Sequence, residues 1–158
     1  MTVWTQGREA LARLSLAKWH GTPHHNRIAV PGVGVDCIKF VYEVCYDSGV
    51  WPRVEFSGYD LQAGLGGPST KLQETFLKAV FGEWVERDFQ FGDVLIFTTG
   101  ERSAHCGFHA GDGKLWHSLA GRRVTVSDEC LWRHDLAGAV RLTGVGFKVN
   151  PQNFDFNG

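Results

Sequence analysis

At Gly92-Asp93 the hydrophobic pattern of this chain changes period, and that switch limits the folds open to it. Upstream, apolar residues recur at three- and four-residue intervals, as one face of a helix requires. Downstream they gather in short runs, beginning with the continuously apolar Val94-Leu95-Ile96-Phe97, which is the pattern of a buried strand. Helices first and an antiparallel sheet second predict an α+β fold. Residues 6–19, with Ala10, Leu11, Leu14 and Ala17 at helical spacing and Trp19 or Lys18 at the edge, predict a first amphipathic helix that stops at Gly21-Thr22-Pro23. From there to Gly34, two Pro, several Gly and the pair His24-His25 predict an irregular loop lying over a surface or a site. Asp36 is a natural N-cap for a second helix, whose core face is Phe40, Val41, Val44 and Cys45 and which runs to Asp47-Ser48-Gly49. Residues 50–68 have no sustained period and predict loop. A third helix is expected where Thr70 and Gln73 show capping-box spacing, continuing through Leu72, Phe76, Ala79, Val80 and Trp84. Further strands are expected over 104–110, 114–118 and 123–126, with a last one near 139–142.

The 158 residues suit one domain, here placed at 1–150, with a loose tail over 151–158. Sixteen Lys and Arg against 17 Asp and Glu leave a net charge of -1, which gives no reason to expect a nucleic-acid partner. No apolar run approaches the roughly 20 residues needed to cross a bilayer, so membrane insertion is not expected. The four cysteines contain no CxxC pair and the N-terminus does not look like a secretory signal. These features predict a reduced protein made in the cytoplasm without a signal peptide.

Cys37 follows a Gly-rich loop and opens the second helix. The N–H groups and positive dipole end of a helix N-terminus stabilise a thiolate there, which makes a nucleophile of it. The alternative is a small buried apolar residue on the first helical turn. Ala104 to Ala110 and Lys114 to Ser118 flank Gly111-Asp112-Gly113, a turn signal between two strands. If all three turn residues form the loop, Gly107 lies opposite His117, and His105 is its diagonal neighbour on the same face, about 7–8 Å away at Cα. A two-residue Asp-Gly turn would put the two histidines on opposite faces. His109 shares the face of His105 but lies roughly 13 Å along the strand, too far to serve the same centre. Cys106 points to the other face, as a core residue. Zinc favours His and Cys, yet CxxC, HxxxH and HExxH are all missing, so no metal site is expected.

The sequence GTPHH…GVGVDCIKFVYEV, then FGDVLIF, then SAHCGFHAGDGKLWHS, resembles the NlpC-like (NlpC/P-sixty) cysteine peptidases of bacterial cell walls. The likeness spans about residues 17 to 142. It is nearest to the branch encoded with phage tails and gene-transfer particles, on the Gly-Thr-Pro before a long loop to the Cys and on the end from Val124 to Leu142. The resemblance implies a minimal papain-like α+β fold with N-terminal helices packed on an antiparallel β-sheet. It further implies Cys37 as nucleophile, His105 as general base and His117 as the group that orients His105. It implies hydrolysis of peptide-stem amides of peptidoglycan, of the D-γ-glutamyl-diaminopimelate type, without metal or cofactor. Peptidoglycan stem peptide would then be the substrate partner and phage tail proteins the assembly partners, with action at the cell wall after release from a particle or dedicated export. Two departures stand out. His24 occupies the place of the family's substrate-side Tyr, and Ile38-Lys39 replaces the common Ser-Gly after the nucleophile. An acyl-transfer or deamidating toxin on the same scaffold, or an inactive tail-assembly or wall-binding module, would share these motifs.

Overall fold

Thr5 starts the first helix, α1 (Gln6–Trp19), by accepting the Arg8 N–H on its side chain. The computed structural model describes residues 2–26, 28–54, 70–99 and 103–149; the expected tail over 151–158 and most of the expected loop over 50–68 lie outside them. The helix occupies the expected span and buries Trp19 at the edge of the face, but the rest of its packed face is not the expected one. Ala12, Ser15, Leu16 and Trp19 are buried, whereas Leu11 and Leu14 are 48% and 70% exposed. The packed face is the Ala12, Leu16 and Trp19 stripe, and Ser15 beside it is buried with its hydroxyl donating to Asp47 Oδ2 at 2.6 Å.

The loop before Cys37 carries a short hairpin, β1 (Ala29–Val30) and β2 (Gly34–Val35). The second helix, α2 (Cys37–Asp47), is capped as expected, with Lys39 N–H donating to Asp36 Oδ1 at 2.7 Å. Phe40, Val41, Val44 and Cys45 are fully buried on it.

The third helix, α3 (Thr70–Ala79), stops earlier than its period suggests. Val80 and Trp84, expected on the helix, belong to a strand, β3 (Val80–Val85). Val and aromatic residues favour the pleated surface that a partner strand offers, and tertiary pairing overrides the weak helical spacing. The remaining strands are β4 (Val94–Thr99), β5 (Ser103–His109), β6 (Lys114–Ser118), β7 (Val124–Asp128) and β8 (Leu136–Phe147). A single turn of 3₁₀-helix, Glu129–Trp132, precedes β8. All neighbours are antiparallel in a six-stranded sheet ordered β3-β8-β4-β5-β6-β7. The α+β arrangement of helices on an antiparallel sheet is therefore the one expected, with β3 added to the sheet and the β1–β2 hairpin added in the expected irregular loop.

Two cores lie on the two faces of this sheet. The larger joins Ile96, Cys106, Phe108 and Val140 to the helices, with Cys37, Phe40 and Val41 among them. The smaller, on the opposite face, is Leu95, Phe97, Leu115 and Ala139, packed by Phe89, Trp132 and Leu136. Asp93, 1% exposed, closes the loop into β4 by accepting from Gln90 N–H and from Nε–H and Nη2–H of Arg141. No helix among the described residues is long and apolar enough to cross a membrane.

Candidate active site

The β5–β6 hairpin decides whether His105 and His117 can meet. Ala110 N–H donates to Lys114 O at 2.8 Å and Lys114 N–H to Gly111 O at 2.9 Å, so Gly111, Asp112 and Gly113 form a three-residue loop. All three have positive φ, 77°, 51° and 70°, the region that Gly and Asp enter most readily. Phe108 pairs with Trp116 and His109 with Leu115, the register in which Gly107 faces His117. His105 and His117 consequently share a face, and His105 Nε2 lies 2.9 Å from His117 Nδ1.

Gly107 is what permits this approach. A Cβ there would stand 2.5 Å from Leu115 Cδ1, 3.0 Å from the Trp116 carbonyl oxygen and 3.2 Å from His117 Cβ. The β5–β6 ladder pairs Phe108 with Trp116 and His109 with Leu115, and Cys37 at the start of α2 makes contact with His105.

Cys37 is 2% exposed, at the first position of α2, in hydrogen-bonding contact with the Cys106 thiol and with His105. These contacts hold its thiol well below the ordinary value: the Cys106 thiol contributes most, and the hydrogen bond and positive charge of His105 add to it, against burial, which raises it. Cys106 shows the reverse, pushed up by burial and by the neighbouring Cys37. Its Sγ also lies 3.4 Å from the Cys37 carbonyl oxygen. Burial pushes the Cys45 thiol up as well, with nothing to offset it.

His117 is fully buried and its imidazole is pushed down to about 3, by burial first and by His105 second. It stays neutral across the working range of most proteins. Its other nitrogen, Nε2, lies 3.2 Å from Ser127 Oγ on β7. Trp132 stands edge-on to it with ring centroids 4.8 Å apart, and Phe97 packs against His105 at 5.5 Å. The histidine pair thus sits in an apolar housing that keeps both rings in place.

His24 lies next to this group rather than in it. Its Nδ1 is 3.1 Å from Ser118 Oγ, and the Ser118 hydroxyl donates to the Val35 carbonyl at 2.7 Å. Ser118 has one proton, so it accepts from His24 Nδ1–H and leaves Nε2 as the second nitrogen of the ring. His24 also bridges Val35 through the backbone, two residues before Cys37. His109 takes no part: it is buried at the far end of the strand, with Nε2 3.0 Å from Glu129 Oε2 and Nδ1 accepting from Gly111 N–H. Cys106, Ser118, Ser127 and Trp132 were not singled out for the site by sequence reasoning. Strand parity gave a signal for Cys106, since the residue after His105 must face α2; the other three depend on pairings that no local pattern encodes.

Among the described residues no three His, Cys, Asp or Glu side chains converge as a metal site would require. The sequence model of the NlpC/P60 family matches residues 18–141, which contain Cys37, His105 and His117. The chain belongs to the NlpC/P60 family. This is a family of cysteine peptidases, and its members act on peptidoglycan. NlpC/P60 structures share the fold at low identity. The NlpC/p60 domain of the peptidoglycan hydrolase SagA is 19% identical with a TM-score of 0.53, over 85% of this chain and 98% of that one. An NLP/P60 family protein similar to lipoprotein, from Staphylococcus aureus, is 19% identical with a TM-score of 0.60, over 89% of this chain and 43% of that one. An NlpC/P60 family protein from Bacillus cereus is 22% identical with a TM-score of 0.54, over 84% and 39%. The chain therefore spans less than half the length of the latter two. No curated protein matches it.

Proposed function

We propose that this NlpC/P60 chain is a cysteine peptidase that hydrolyses peptide-stem amide bonds of bacterial peptidoglycan, of the D-γ-glutamyl-diaminopimelate type. The observation that carries the reading is the contact chain from the helix-start thiol of Cys37 to His105 and on to His117 at 2.9 Å. Nucleophile, base and orienter are thereby in sequence, each within reach of the next.

In this mechanism His105 holds the proton of Cys37, and the thiolate attacks the scissile carbonyl carbon to form a carbon–sulfur bond. Lys39 N–H and Phe40 N–H are already directed to the Asp36 carboxylate and carbonyl, so the oxyanion is received by the N–H groups of Cys37 and Ile38 at the helix start. His105 then protonates the departing amine as the carbon–nitrogen bond breaks. Water, deprotonated by His105, attacks the thioester, releases the carboxylic acid and restores Cys37. His117, neutral throughout, accepts the Nε2–H of the His105 imidazolium and keeps its ring aimed at the sulfur. His24 sits on the substrate side through its link to Ser118 and Val35.

Residues 1–150 act as a single peptidase domain in this reading, with 151–158 as a tail. Gly21-Thr22-Pro23 ahead of the Cys37 loop, and the end that contains Leu131-Trp132-Arg133, support a place in the phage-tail and gene-transfer-particle branch, acting on the wall beside tail proteins. Digestion of defined muropeptides, with the new termini identified by mass spectrometry, tests the reading. The parent is expected to open the stem amide and Cys37→Ala to leave it intact. Equal cleavage by both would refute it.

A further inference from the structure

The contact chain does not end at His117. Its second ring nitrogen meets a hydroxyl on the neighbouring strand, Ser127 Oγ, at 3.2 Å. Ser127 and His117 are diagonal neighbours on one face of the β6–β7 ladder, where His117 pairs with Thr125 and Leu115 with Ser127. We propose that Ser127 is a positioning residue for the Cys37–His105 pair, because it fixes which nitrogen of His117 carries the proton; this rests on the catalytic reading above.

The proton arrangement follows from valence. A neutral imidazole has one N–H and one lone pair. When His105 holds the proton of Cys37, both its nitrogens are donors, and Nε2–H must find an acceptor at His117 Nδ1. That obliges His117 to carry its own proton on Nε2, which points at Ser127 Oγ. A hydroxyl accepts it. Without the hydroxyl, a fully buried N–H would lose its partner, and His117 would favour the opposite tautomer, which donates from Nδ1 to His105. In that tautomer two donors would face each other whenever His105 is charged. The neutral thiol and imidazole would then gain over the thiolate and imidazolium.

Among the described residues, the Ser127 hydroxyl is the recorded hydrogen-bond partner of His117 Nε2. Phe97 of β4 and Trp132 of the 3₁₀ turn present ring faces and edges, Thr125 of β7 is its backbone partner, and His105 of β5 is the titratable group that acts on it. Cys37 of α2 is in contact with His105. The half-buried position of Ser127 allows water to replace part of what is lost, so the effect is graded rather than complete.

The test is the pH dependence of Cys37 alkylation by iodoacetamide, followed by peptide mapping, in the parent, Ser127→Ala and Ser127→Thr. In Ser127→Ala the midpoint for thiolate formation is expected to rise by about half to one pH unit, with turnover on muropeptide down about 3- to 10-fold and KM little changed, as for one lost hydrogen bond. Ser127→Thr keeps the hydroxyl and should keep the parental midpoint. Thermal unfolding within a few degrees of the parent confirms that both variants are folded. A parental midpoint and turnover in folded Ser127→Ala would overturn the proposal, as would Ser127→Thr changing as much as Ser127→Ala. A parent whose Cys37 shows no selective alkylation at all would instead overturn the catalytic reading, so the two failures are distinguishable.

Discussion

Replacing Gly107 by Ala puts a methyl group where the β5–β6 packing leaves no room for it beside the histidine pair. The added methyl would meet Leu115 Cδ1 at 2.5 Å, the Trp116 carbonyl oxygen at 3.0 Å and His117 Cβ at 3.2 Å. Leu115 is fully buried, so its side chain has no free volume to swing into, and the Trp116 oxygen is backbone. Relief must come from moving β6 away from β5. Overpacking of this kind costs about 1–3 kcal/mol. For a domain of this size that lowers Tm by about 3–9 °C. The same displacement, a few tenths of an ångström, stretches the 2.9 Å contact between His105 and His117, and turnover should fall about 3- to 10-fold beyond any loss of folded protein. Urea unfolding of Gly107→Ala, Leu115→Val and the double variant separates the causes. Leu115→Val makes room for the methyl, so the double variant should be more stable than the sum of the single changes, by about 1 kcal/mol. Strict additivity, or a Gly107→Ala variant within about 0.5 kcal/mol of the parent, would refute the packing argument.

Asp36→Ala removes the cap of α2 and should cost about 0.5–2 kcal/mol in urea unfolding; an unchanged midpoint would mean the cap is not formed. Arg141→Ala strips the buried Asp93 carboxylate of its cation and should destabilise by about 3 kcal/mol, measured the same way. Burial and His105 push the folded His117 down to about 3, whereas the unfolded chain binds that proton near about 6.5. Between those values the unfolded state holds more protons, so this group makes stability fall as pH falls, by up to about 1.4 kcal/mol per pH unit. His117→Asn should therefore show a shallower loss of stability from pH 6.5 to 4.5 than the parent; parallel curves would show that His117 is not held neutral.

Much of the site was visible in the sequence because it depends on local rules. Asp36 before Cys37 announces a helix start, and Gly111-Asp112-Gly113 between two strand-like runs confines the hairpin to two registers, of which one brings the histidines together. Long-range pairing was much less legible. Val80 and Trp84 sit at helical spacing after Phe76, and only the presence of β8 beside them makes them strand. On α1 the periodic Leu11 and Leu14 face outward, while Ala12, Leu16 and Trp19 are buried together with Ser15, whose partner Asp47 lies 32 residues away. Ser127 and Ser118 have the same character: a serine carries no pattern until the strand opposite it is known.

The central claim is that the contacts with Cys106 and His105 lower the Cys37 thiol and make it the reactive nucleophile of the folded chain. Brief treatment with iodoacetamide at about pH 5.5, well under the ordinary thiol value of about 8.5, followed by quantitative peptide mapping, measures it directly. Cys37 should be modified first, ahead of the exposed Cys130, with buried Cys45 and Cys106 unreacted. Modification of Cys130 ahead of Cys37 at that pH would contradict the account, because exposure rather than the His105 contact would then govern which thiol reacts.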